Sequence, residues 1–434
     1  MRRVSRCGLV LLLCAANPAL AANPPVRLAV KAARLIDVKG SRVLSPAVVL
    51  VEDGQILQVG TALAIPAGFQ VVDLGGATLL PGLIDAHVHL TYVPENSGYR
   101  ELGISLPREA LYGASSASKT LLAGFTSARN VGAGGYSDVG LREAIDAGEL
   151  PGPRLLVSGP ALGITGGHCD DNLLPQQYHH REEGVADGPW EARTKAREVI
   201  KYGADLIKVC ASGGVLSKGD RPGAPQYTLE EMRAIVEEAH RAGRKVAAHA
   251  HGTQSIKEAI RAGVDSIEHA SLIDDEGLKL AKEHGTFLVM DIYNDDFILQ
   301  EGLKMGMLPE SIEKEKGIGK LQRESFARAV KAGVRMAFGT DAGAYPHGQN
   351  AKQFAVMVRF GMTAAQAIRS ATLDGAELLG WKDKVGSIEL GKLADLIGVK
   401  GDPLKDVRVL EDVGFVMKGG VVVKDTLRTV GGGD

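Results

Sequence analysis

Short apolar runs alternate with helix-like stretches through the middle of the chain. The runs are eight in number: GLIDAHVHL, GFTSARNV, RLLVSGPAL, DLIKVCAS, KVAAHAHG, SIEHAS, TFLVMDI and RMAFGTDA. Strands that are apolar throughout are typical of parallel sheets buried on both faces. Helical periodicity fills the intervals, most clearly in TLEEMRAIVEEAHRAG, where Thr228 and Glu231 have the spacing of a capping box and Gly243 ends the pattern.

About eight such strand and helix units over roughly 260 residues predict an α/β fold, a (β/α)8 barrel of the TIM type. A doubly wound open sheet is the alternative that the same alternation allows. Both architectures collect the carboxyl ends of their strands on one side, where active sites form.

Both ends of the chain have a different texture, in which short Val/Ile/Leu-rich runs are broken by Gly, Asp and Pro. The runs are VRLAVKAARLIDV, AVVLVEDGQILQVG and FQVVDLGGATLL near the beginning, and GSIELGKLADLIGV and VGFVMKGGVVV near the end. This texture predicts a small β-sandwich, antiparallel at its beginning, to which both chain ends contribute. We therefore expect sandwich segments at 23–80 and 386–434, and the barrel at 81–385.

The first residues predict a secretory signal peptide, residues 1–22. Arg2, Arg3 and Arg6 precede an apolar run, and Ala19-Leu20-Ala21 has the small-x-small pattern of a cleavage site. The apolar run is shorter than the ~20 residues that span a bilayer, so an uncleaved anchor is the weaker alternative. The expected location is secreted or periplasmic, with no membrane association after cleavage.

Composition narrows the class of protein further. The chain has 434 residues, 45% hydrophobic and 24% charged, which is typical of soluble globular proteins and fits one large domain with a small satellite. Loss of the three signal arginines takes the net charge from -2 to about -5, and no basic excess invites nucleic acid. Cys169 and Cys210 would remain; we expect two buried free thiols, although an oxidising compartment would allow one bridge.

Polar residues stand at the carboxyl ends of most predicted strands. His87 and His89 are two apart in one strand, so their side chains project on the same face and can hold one ion. The other strand-end residues are Lys208, His249, His269 and Asp341. One strand-end histidine is usually a hydrogen-bonded structural residue, but six coincidences on the catalytic face of a barrel predict a metal site.

These segments resemble motifs of the amidohydrolase superfamily, and the resemblance covers nearly the whole chain after the signal peptide. The motifs stand in the family's order: PGLIDAHVH, IKVCASGG, HAHG, SIEHAS, GTDAG and the returning GSIELGKLADL. The resemblance implies two divalent metal ions, with His87, His89 and Asp341 on the more buried ion and His249 and His269 on the other. A carbamylated Lys208 would bridge both ions. This donor set suits zinc, with manganese or cobalt as substitutes.

Two ions ~3.5 to 4 Å apart can share a hydroxide that attacks a carbonyl group. In that chemistry Asp341 is either the general base, which then protonates the leaving amine, or a metal ligand alone. The mononuclear deaminases of the superfamily lack the strand-four lysine and carry a glutamate near the fifth-strand histidine. HAHGTQS, the segment around His251, has no such glutamate.

His168, in GPALGITGGHCDD, looks like the histidine that contacts the substrate carbonyl in the metal-dependent prolidase and carboxypeptidase branch. Several members of that branch carry a tyrosine where this chain has His251. His251 either donates to the developing oxyanion or supports the metal ligands from outside. Lys218, Arg221 and Arg129 are candidate partners for a substrate carboxylate, and none of the three is favoured.

The branch hydrolyses amide bonds that release a C-terminal amino acid, and it includes ochratoxinase-like enzymes that split an aryl amide of phenylalanine. We therefore expect a binuclear metal-dependent amidohydrolase, carboxypeptidase- or dipeptidase-like, acting on N-acyl or peptidyl amino acids. A cyclic amide hydrolase or lactonase would use the same metals. A hydrolase with Cys169 or Cys210 as nucleophile and an exported metal-binding scaffold are the remaining alternatives. The resemblance also implies a homo-oligomer.

Overall fold

A computed structural model describes residues 25–428, and the expected signal peptide lies outside these residues. The strands are β1 (Arg27–Ala32), β2 (Arg34–Asp37), β3 (Arg42–Leu44), β4 (Ala47–Glu52), β5 (Gln55–Gly60), β6 (Gln70–Asp73), β7 (Thr78–Pro81), β8 (Leu83–Val88), β9 (Phe125–Asn130), β10 (Arg154–Val157), β11 (Leu206–Cys210), β12 (Lys245–Ala250), β13 (Ser266–His269), β14 (Phe287–Val289), β15 (Leu396–Val399), β16 (Val413–Lys418) and β17 (Val421–Asp425).

The helices pack around the strands of the middle segment. They are α1 (Leu106–Leu122), α2 (Ser137–Asp146), α3 (Gly188–Lys201), α4 (Leu229–Arg241), α5 (Thr253–Ala262), α6 (Asp275–His284), α7 (Asn294–Met305), α8 (Pro309–Ala332), α9 (Lys352–Arg359), α10 (Ala364–Arg369) and α11 (Gly375–Leu379). The capping box at α4 is present, since Thr228 accepts from the Glu231 amide and Glu231 accepts from the Thr228 amide. No helix within residues 25–428 has the length and apolarity needed to cross a bilayer.

Two sheets form the sandwich, in the orders β5-β4-β1-β6 and β17-β16-β15-β7-β2-β3. The second sheet contains strands from both ends of the chain, because β15 pairs antiparallel with β7, with Ile397 opposite Leu80. Val49, Leu79 and Phe415 lie in the apolar core of this unit. The sheets are mixed rather than antiparallel throughout. β6 lies beside β1, and β7 beside β2, in the same direction.

Eight parallel segments close into a barrel. Seven are regular strands, in the groups β10-β9-β8 and β11-β12-β13-β14. An irregular eighth segment at 336–342 and the continuation of β10 complete the ring through parallel bridges: Val88–Ala342, Leu288–Met336 and Leu162–Val209. This arrangement confirms the predicted barrel fold, and it places the carboxyl ends of all eight segments around one mouth.

Gly82 joins the sandwich strand β7 directly to the first barrel strand β8. Its amide donates to Asp395 O, 2.8 Å away, beside the returning end of the chain. A Cβ atom at this position would collide with the side chain of Thr126, so only glycine allows the close approach. The sandwich is therefore anchored at the amino end of the strand that carries His87 and His89 at its other end.

Candidate metal centre

The predicted site residues converge on one cavity of about 420 Å³ at the barrel mouth. The cavity lining includes His89, His168, Lys208, His249, His251, His269 and Asp341. His87 is fully buried and lies behind this lining. The structure thus brings together side chains from six different strand ends, as the positions along the chain predict.

His87, His89 and Asp341 form the first donor group. The Nε2 atoms of both histidines lie 3.3 Å from Asp341 Oδ1, so the two side chains share one face of the strand as their spacing predicts. His87 Nε2 is buried and has no hydrogen-bond partner in the part of the chain that the structure describes. Two imidazoles and a carboxylate around an unpartnered buried nitrogen fit a divalent cation such as zinc.

His249, His251 and His269 form the second donor group, in which one ligand atom from each residue lies within 4.8 Å of the others. His251 therefore lies beside the two histidines that the resemblance assigns to the second ion. His269 and Asp341 lie within the same distance of each other in a further group with Asp291. The two donor groups are thus adjacent, which fits two neighbouring ions.

Carboxylates behind the donors orient the rings. His87 Nδ1 lies 2.9 Å from Glu268 Oε2, and His269 Nδ1 lies 2.8 Å from Asp291 Oδ1. Glu268 is ionised and accepts only, so His87 Nδ1 carries the proton and its Nε2 keeps its lone pair for the centre. Burial and the nearby Asp341 raise the pKa of Asp291 to about 8. The Asp291 oxygens nevertheless accept hydrogen bonds from Gln322 and Asn294, so we assign the proton to His269 Nδ1 as well.

Glu268 is also held by the guanidinium group of Arg129. Arg129 donates to Glu268 Oε1 at 2.8 Å and to Ala86 O at 2.6 Å, and its side chain is buried. Burial acts to raise the pKa of Glu268, but the charge of Arg129 and the hydrogen bond from His87 outweigh burial and keep the pKa far below its usual value. Arg129 therefore supports the centre from outside and is not free to bind a substrate carboxylate.

Burial favours the neutral forms of three basic groups of the centre, His249, His269 and Lys208. Burial, together with the nearby His87, lowers the pKa of His269 to about 3, and burial holds the pKa of His249 well below its ordinary value. Burial likewise lowers the pKa of Lys208. Neutral nitrogen atoms are the forms that bind metals, and a neutral lysine amine is the form that reacts with carbon dioxide.

Asp341 adopts a left-handed backbone conformation, with φ of 56°, which costs about 1–3 kcal/mol. Its amide donates to His87 O at 2.8 Å. The preceding Thr340 donates to the buried carboxyl of Asp85 at 2.6 Å, and Asn350 donates to the same oxygen at 2.8 Å. These bonds tie the DAHVH and GTDAG motifs together. Asp341 is thereby aimed at the two histidines of the first strand.

His168 sits in a polar chain that reaches helix α8. Its Nδ1 lies 2.8 Å from Ser217 Oγ, Ser217 donates to Asp220 at 2.7 Å, and Lys314 pairs with Asp220 at 2.8 Å. Ser217 has one proton and gives it to the carboxylate, so His168 Nδ1 must be the donor to Ser217. Burial lowers the pKa of His168 to about 4, so the neutral ring offers Nε2 as an acceptor.

The His251 ring can adopt the opposite tautomer to that of His168. Its Nδ1 lies 2.7 Å from Ser271 Oγ, and this hydroxyl makes no other hydrogen bond in the described chain. Ser271 can therefore donate to Nδ1, which leaves a proton on Nε2. With that tautomer, His251 is the histidine able to donate to an oxyanion without becoming charged.

The cysteine prediction was wrong, because Cys169 and Cys210 form a disulfide with their Cα atoms 5.9 Å apart. Two expected free thiols became one bridge because the loop after the third strand runs alongside β11. Leu162 O accepts from the Cys210 amide at 2.8 Å, which brings the two segments together. The bridge fastens the loop that carries His168 to the strand that carries Lys208.

Of the three candidate partners for a substrate carboxylate, Lys218 alone lines the cavity. Its Nζ lies 2.9 Å from Tyr99 Oη, and the side chain carries no ion pair within residues 25–428. Arg129 is committed to Glu268, and Arg221 is exposed outside the lining.

Sequence reasoning missed the outer partners of the centre. Glu268 stood in view as a charged residue inside a buried strand, and Asp291 stood at the end of the seventh run, TFLVMDI. Ser217 and Asp220 gave no signal, because polar residues in a Gly-rich loop are usually solvated.

Glu268→Gln should weaken metal binding about 10–100-fold, because the amide no longer offers His87 a full negative charge and is poorly matched to Arg129. Chelator competition on the folded protein would measure the change. Glu258→Gln, at a half-buried position of α5 where the carboxyl accepts from Gln254, is the control and should leave affinity unchanged. Equal affinities for both variants would contradict the role of Glu268.

Replacing Cys169 and Cys210 together by alanine should lower the free energy of unfolding by up to about 4 kcal/mol, because the bridge closes a loop of 41 residues. Urea unfolding of both proteins would measure this difference. Thiol titration of the unreduced, unfolded mature chain should find no reactive thiol at these positions. Two reactive thiols would refute the bridge.

Comparison with known proteins agrees with this geometry. The sequence profile of the amidohydrolase family matches residues 78–423. The chain is similar to ochratoxinase of Aspergillus niger, with 35% identity over 374 residues, 80% of this chain and 75% of that protein. Among solved structures it resembles an Xaa-Pro dipeptidase with bound methionine, with a TM-score of 0.84, 38% identity and coverage of 92% of this chain and 100% of the other.

Two further structures are similar over nearly the whole chain. A prolidase complexed with N-methylphosphonate-L-proline has a TM-score of 0.84 and 33% identity, and it covers 92% of this chain and 100% of its own. The A. niger ochratoxinase structure has a TM-score of 0.82 and 32% identity, with 93% and 96% covered. With its family motifs gathered at the barrel mouth and the family profile matched over most of its length, the chain belongs to the amidohydrolase family.

Proposed function

We propose that this hydrolase releases a C-terminal amino acid from N-acyl or peptidyl amino acids, with two divalent metal ions at the barrel mouth. The observation that carries the proposal is the pair of adjacent donor groups inside one cavity of about 420 Å³. A cavity of this size suits a small amide or a dipeptide rather than a folded protein. The dipeptidase, prolidase and ochratoxinase among the similar proteins favour amide bonds of amino acids.

Bound metal ions would supply a water of lowered pKa and polarise the scissile carbonyl. His87, His89 and Asp341 would hold one ion, His249 and His269 the other, and Lys208, once carbamylated, would contribute to both. The donor set of imidazole and carboxylate oxygen suits zinc. Lys208 is buried among these groups, and its lowered pKa favours the neutral amine that carbamylation requires.

Asp341 would act as the general base and then as the general acid. Burial acts to raise the pKa of its carboxyl, but the adjacent His87 and His89 side chains hold the pKa well below its ordinary value. Asp341 is therefore ionised and able to accept the proton of the attacking water, then pass it to the leaving amine.

The two other histidines of the mouth divide the substrate contacts. His251 would donate through Nε2 to the oxygen of the carbonyl as negative charge develops there. His168, which the resemblance places on the substrate carbonyl, would instead receive a hydrogen bond from an N–H of the substrate, because its Nε2 is an acceptor. Lys218 would bind the free carboxylate of the released amino acid, because it is the cavity-lining lysine that lies outside the donor groups.

We also propose export to an oxidising compartment. The Cys169–Cys210 bond favours it, because disulfides persist in secreted and periplasmic proteins and are rare in the reducing cytosol. The basic, apolar and small-x-small sequence before residue 23 is consistent with this proposal.

The experiment that tests the function is release of free amino acid from N-acyl and dipeptide substrates with varied C-terminal residues. Metal content is measured on the same preparations. Chelator-sensitive release with about two metals per chain would support the proposal. Two metals without release on any substrate would move the assignment to cyclic amides or lactones, and absence of both would favour a scaffold.

Asp341→Asn should leave the protein folded and reduce turnover about 10²–10⁴-fold, because the amide cannot take the proton from water. Turnover is measured with the best substrate of the panel, and metal content is compared with that of the native protein. A loss below tenfold with metal retained would exclude Asp341 as the base.

Lys218→Met should raise KM for substrates with a free carboxylate about tenfold or more, because a charge-assisted hydrogen bond is lost. Substrates whose carboxylate is amidated should show no change. Lys316→Met, an exposed change on α8, is the matched control. An equal effect of Lys218→Met on both substrate classes would contradict carboxylate binding.

A further inference from the structure

One wall of the cavity is not used by the proposed chemistry. It is formed by the end of β14 and the two helices that follow, and we call it the α7–α8 wall. Asn294, Ile298, Met307, Ser311 and Glu315 all line the cavity from this wall. It begins beside the metal centre, because Asn294 Nδ2 lies 3.4 Å from Asp341 Oδ2.

Buried polar atoms without partners mark this wall. Ser311 is 1% exposed and Asn294 is 7% exposed, yet neither Ser311 Oγ nor Asn294 Oδ1 has a hydrogen-bond partner among residues 25–428. Native proteins leave few such atoms unpaired, and those that remain call for an explanation. Two of them on one wall of a substrate-sized cavity point to a ligand that supplies hydrogen-bond donors.

The third polar group is a carboxyl without a counter-ion. Glu315 is 3% exposed and forms no ion pair in the described chain, and one of its oxygens lacks a partner. Burial and the neighbouring Asp295 carboxyl raise the pKa of Glu315 well above its ordinary value, so this carboxyl takes up its charge only beside a cation. The neighbouring Arg323 is already shared by Asp295 at 2.8 Å and Asp296 at 2.9 Å. Glu315 is one helical turn after Ser311, so both side chains project from the same face of α8.

The remainder of the wall is apolar. Ile298 and Met307 form a small buried cluster with Ile312, against which Leu216 of the loop after β11 packs. Aliphatic walls that lead to oxygen acceptors and a carboxyl suit a side chain with an aliphatic stem and a nitrogen-bearing head. With Asp291, Asp341 and Lys208 assigned to the metal centre, six carboxyl side chains and one lysine line the rest of the cavity, which favours a cationic head.

We propose that the α7–α8 wall is a subsite for a basic substrate side chain, with an aliphatic stem against Leu216, Ile298 and Met307 and a terminal ammonium or guanidinium group at Ser311 and Glu315. The inference rests on the proposed amide hydrolase function and narrows its substrates to amino acid amides that carry lysine- or arginine-like residues. The polar head would supply the donors that the wall lacks.

Matched dipeptides test the subsite. Lysine and norleucine have the same stem and differ by the ammonium group, so Ala-Lys is compared with Ala-norleucine and Lys-Ala with norleucine-Ala. We expect kcat/KM for the lysine substrate to exceed that for norleucine at least tenfold in one of the two series. A ratio near or below one in both series would overturn the proposal.

Glu315→Gln keeps the size of the side chain and removes its ability to carry a negative charge beside a cation. It should lower the lysine-to-norleucine ratio at least tenfold and leave norleucine cleavage within about twofold. Glu313→Gln is the control on the same helix, because Glu313 is exposed and paired with Lys316. Ser311→Ala removes a hydroxyl that has no hydrogen-bond partner in the described chain, so no other group loses a bond and the variant should fold. It should lower the lysine-to-norleucine ratio several-fold. An unchanged ratio in a folded variant would refute the subsite.

Direct binding separates this inference from the proposed function. Calorimetry with free lysine and free norleucine on the metal-loaded protein needs no turnover. Cleavage of norleucine dipeptides without a lysine preference would refute the subsite and keep the hydrolase. If no dipeptide is cleaved, the proposed function fails. Tighter binding of lysine, lost in Glu315→Gln, would then still support the subsite, and equal binding would refute it.

Discussion

The buried chain Arg129–Glu268–His87 is the interaction on which the centre depends. Glu268 and His87 are fully buried, and Arg129 is 2% exposed. A carboxylate in such surroundings is stable only if its charge is paired and its lone pairs are bonded, and Arg129, His87 and Ser266 meet that need. Because these residues belong to three different strands, the ion pair also sets how the strands stand relative to one another. The Nε2 atom of His87 is left facing the metal centre as a result.

The loops above the strands use a second set of constraints. The disulfide fastens the loop of His168 to β11, while Lys314, Asp220 and Ser217 hold the His168 ring from the side of α8. Gly214 lets the His168 ring lie close against the backbone of the loop, because a Cβ atom at this position would collide with the ring. Loops are ordinarily the mobile part of a barrel. Here covalent and charged contacts limit that freedom at the residue that we propose receives the substrate N–H.

The mouth of the barrel thus combines a centre whose side chains are fixed by hydrogen bonds with a cavity wall whose buried polar atoms lack partners. His87 and His269 are oriented by outer carboxylates, whereas Ser311 and Asn294 keep buried atoms without partners in the region that the structure describes. The first arrangement is what a metal needs, since ligands must be aimed before the ion arrives. The second arrangement suits a bound substrate, whose own polar groups would form hydrogen bonds with the buried atoms that lack partners.

Sequence alone determined the fold class and the convergence of the principal side chains. The alternation of buried strands with amphipathic helices implied a barrel, and the i, i+2 spacing of His87 and His89 implied a shared face, because both features are local consequences of backbone geometry. Tertiary structure alone decided what stands behind and beside those side chains. The disulfide, the outer role of Glu268, the tautomer of His168 and the α7–α8 wall each join residues far apart in the chain, and no local period encodes which distant donor meets which acceptor. Spacing along a strand determines where a ligand points, but only packing decides what holds it.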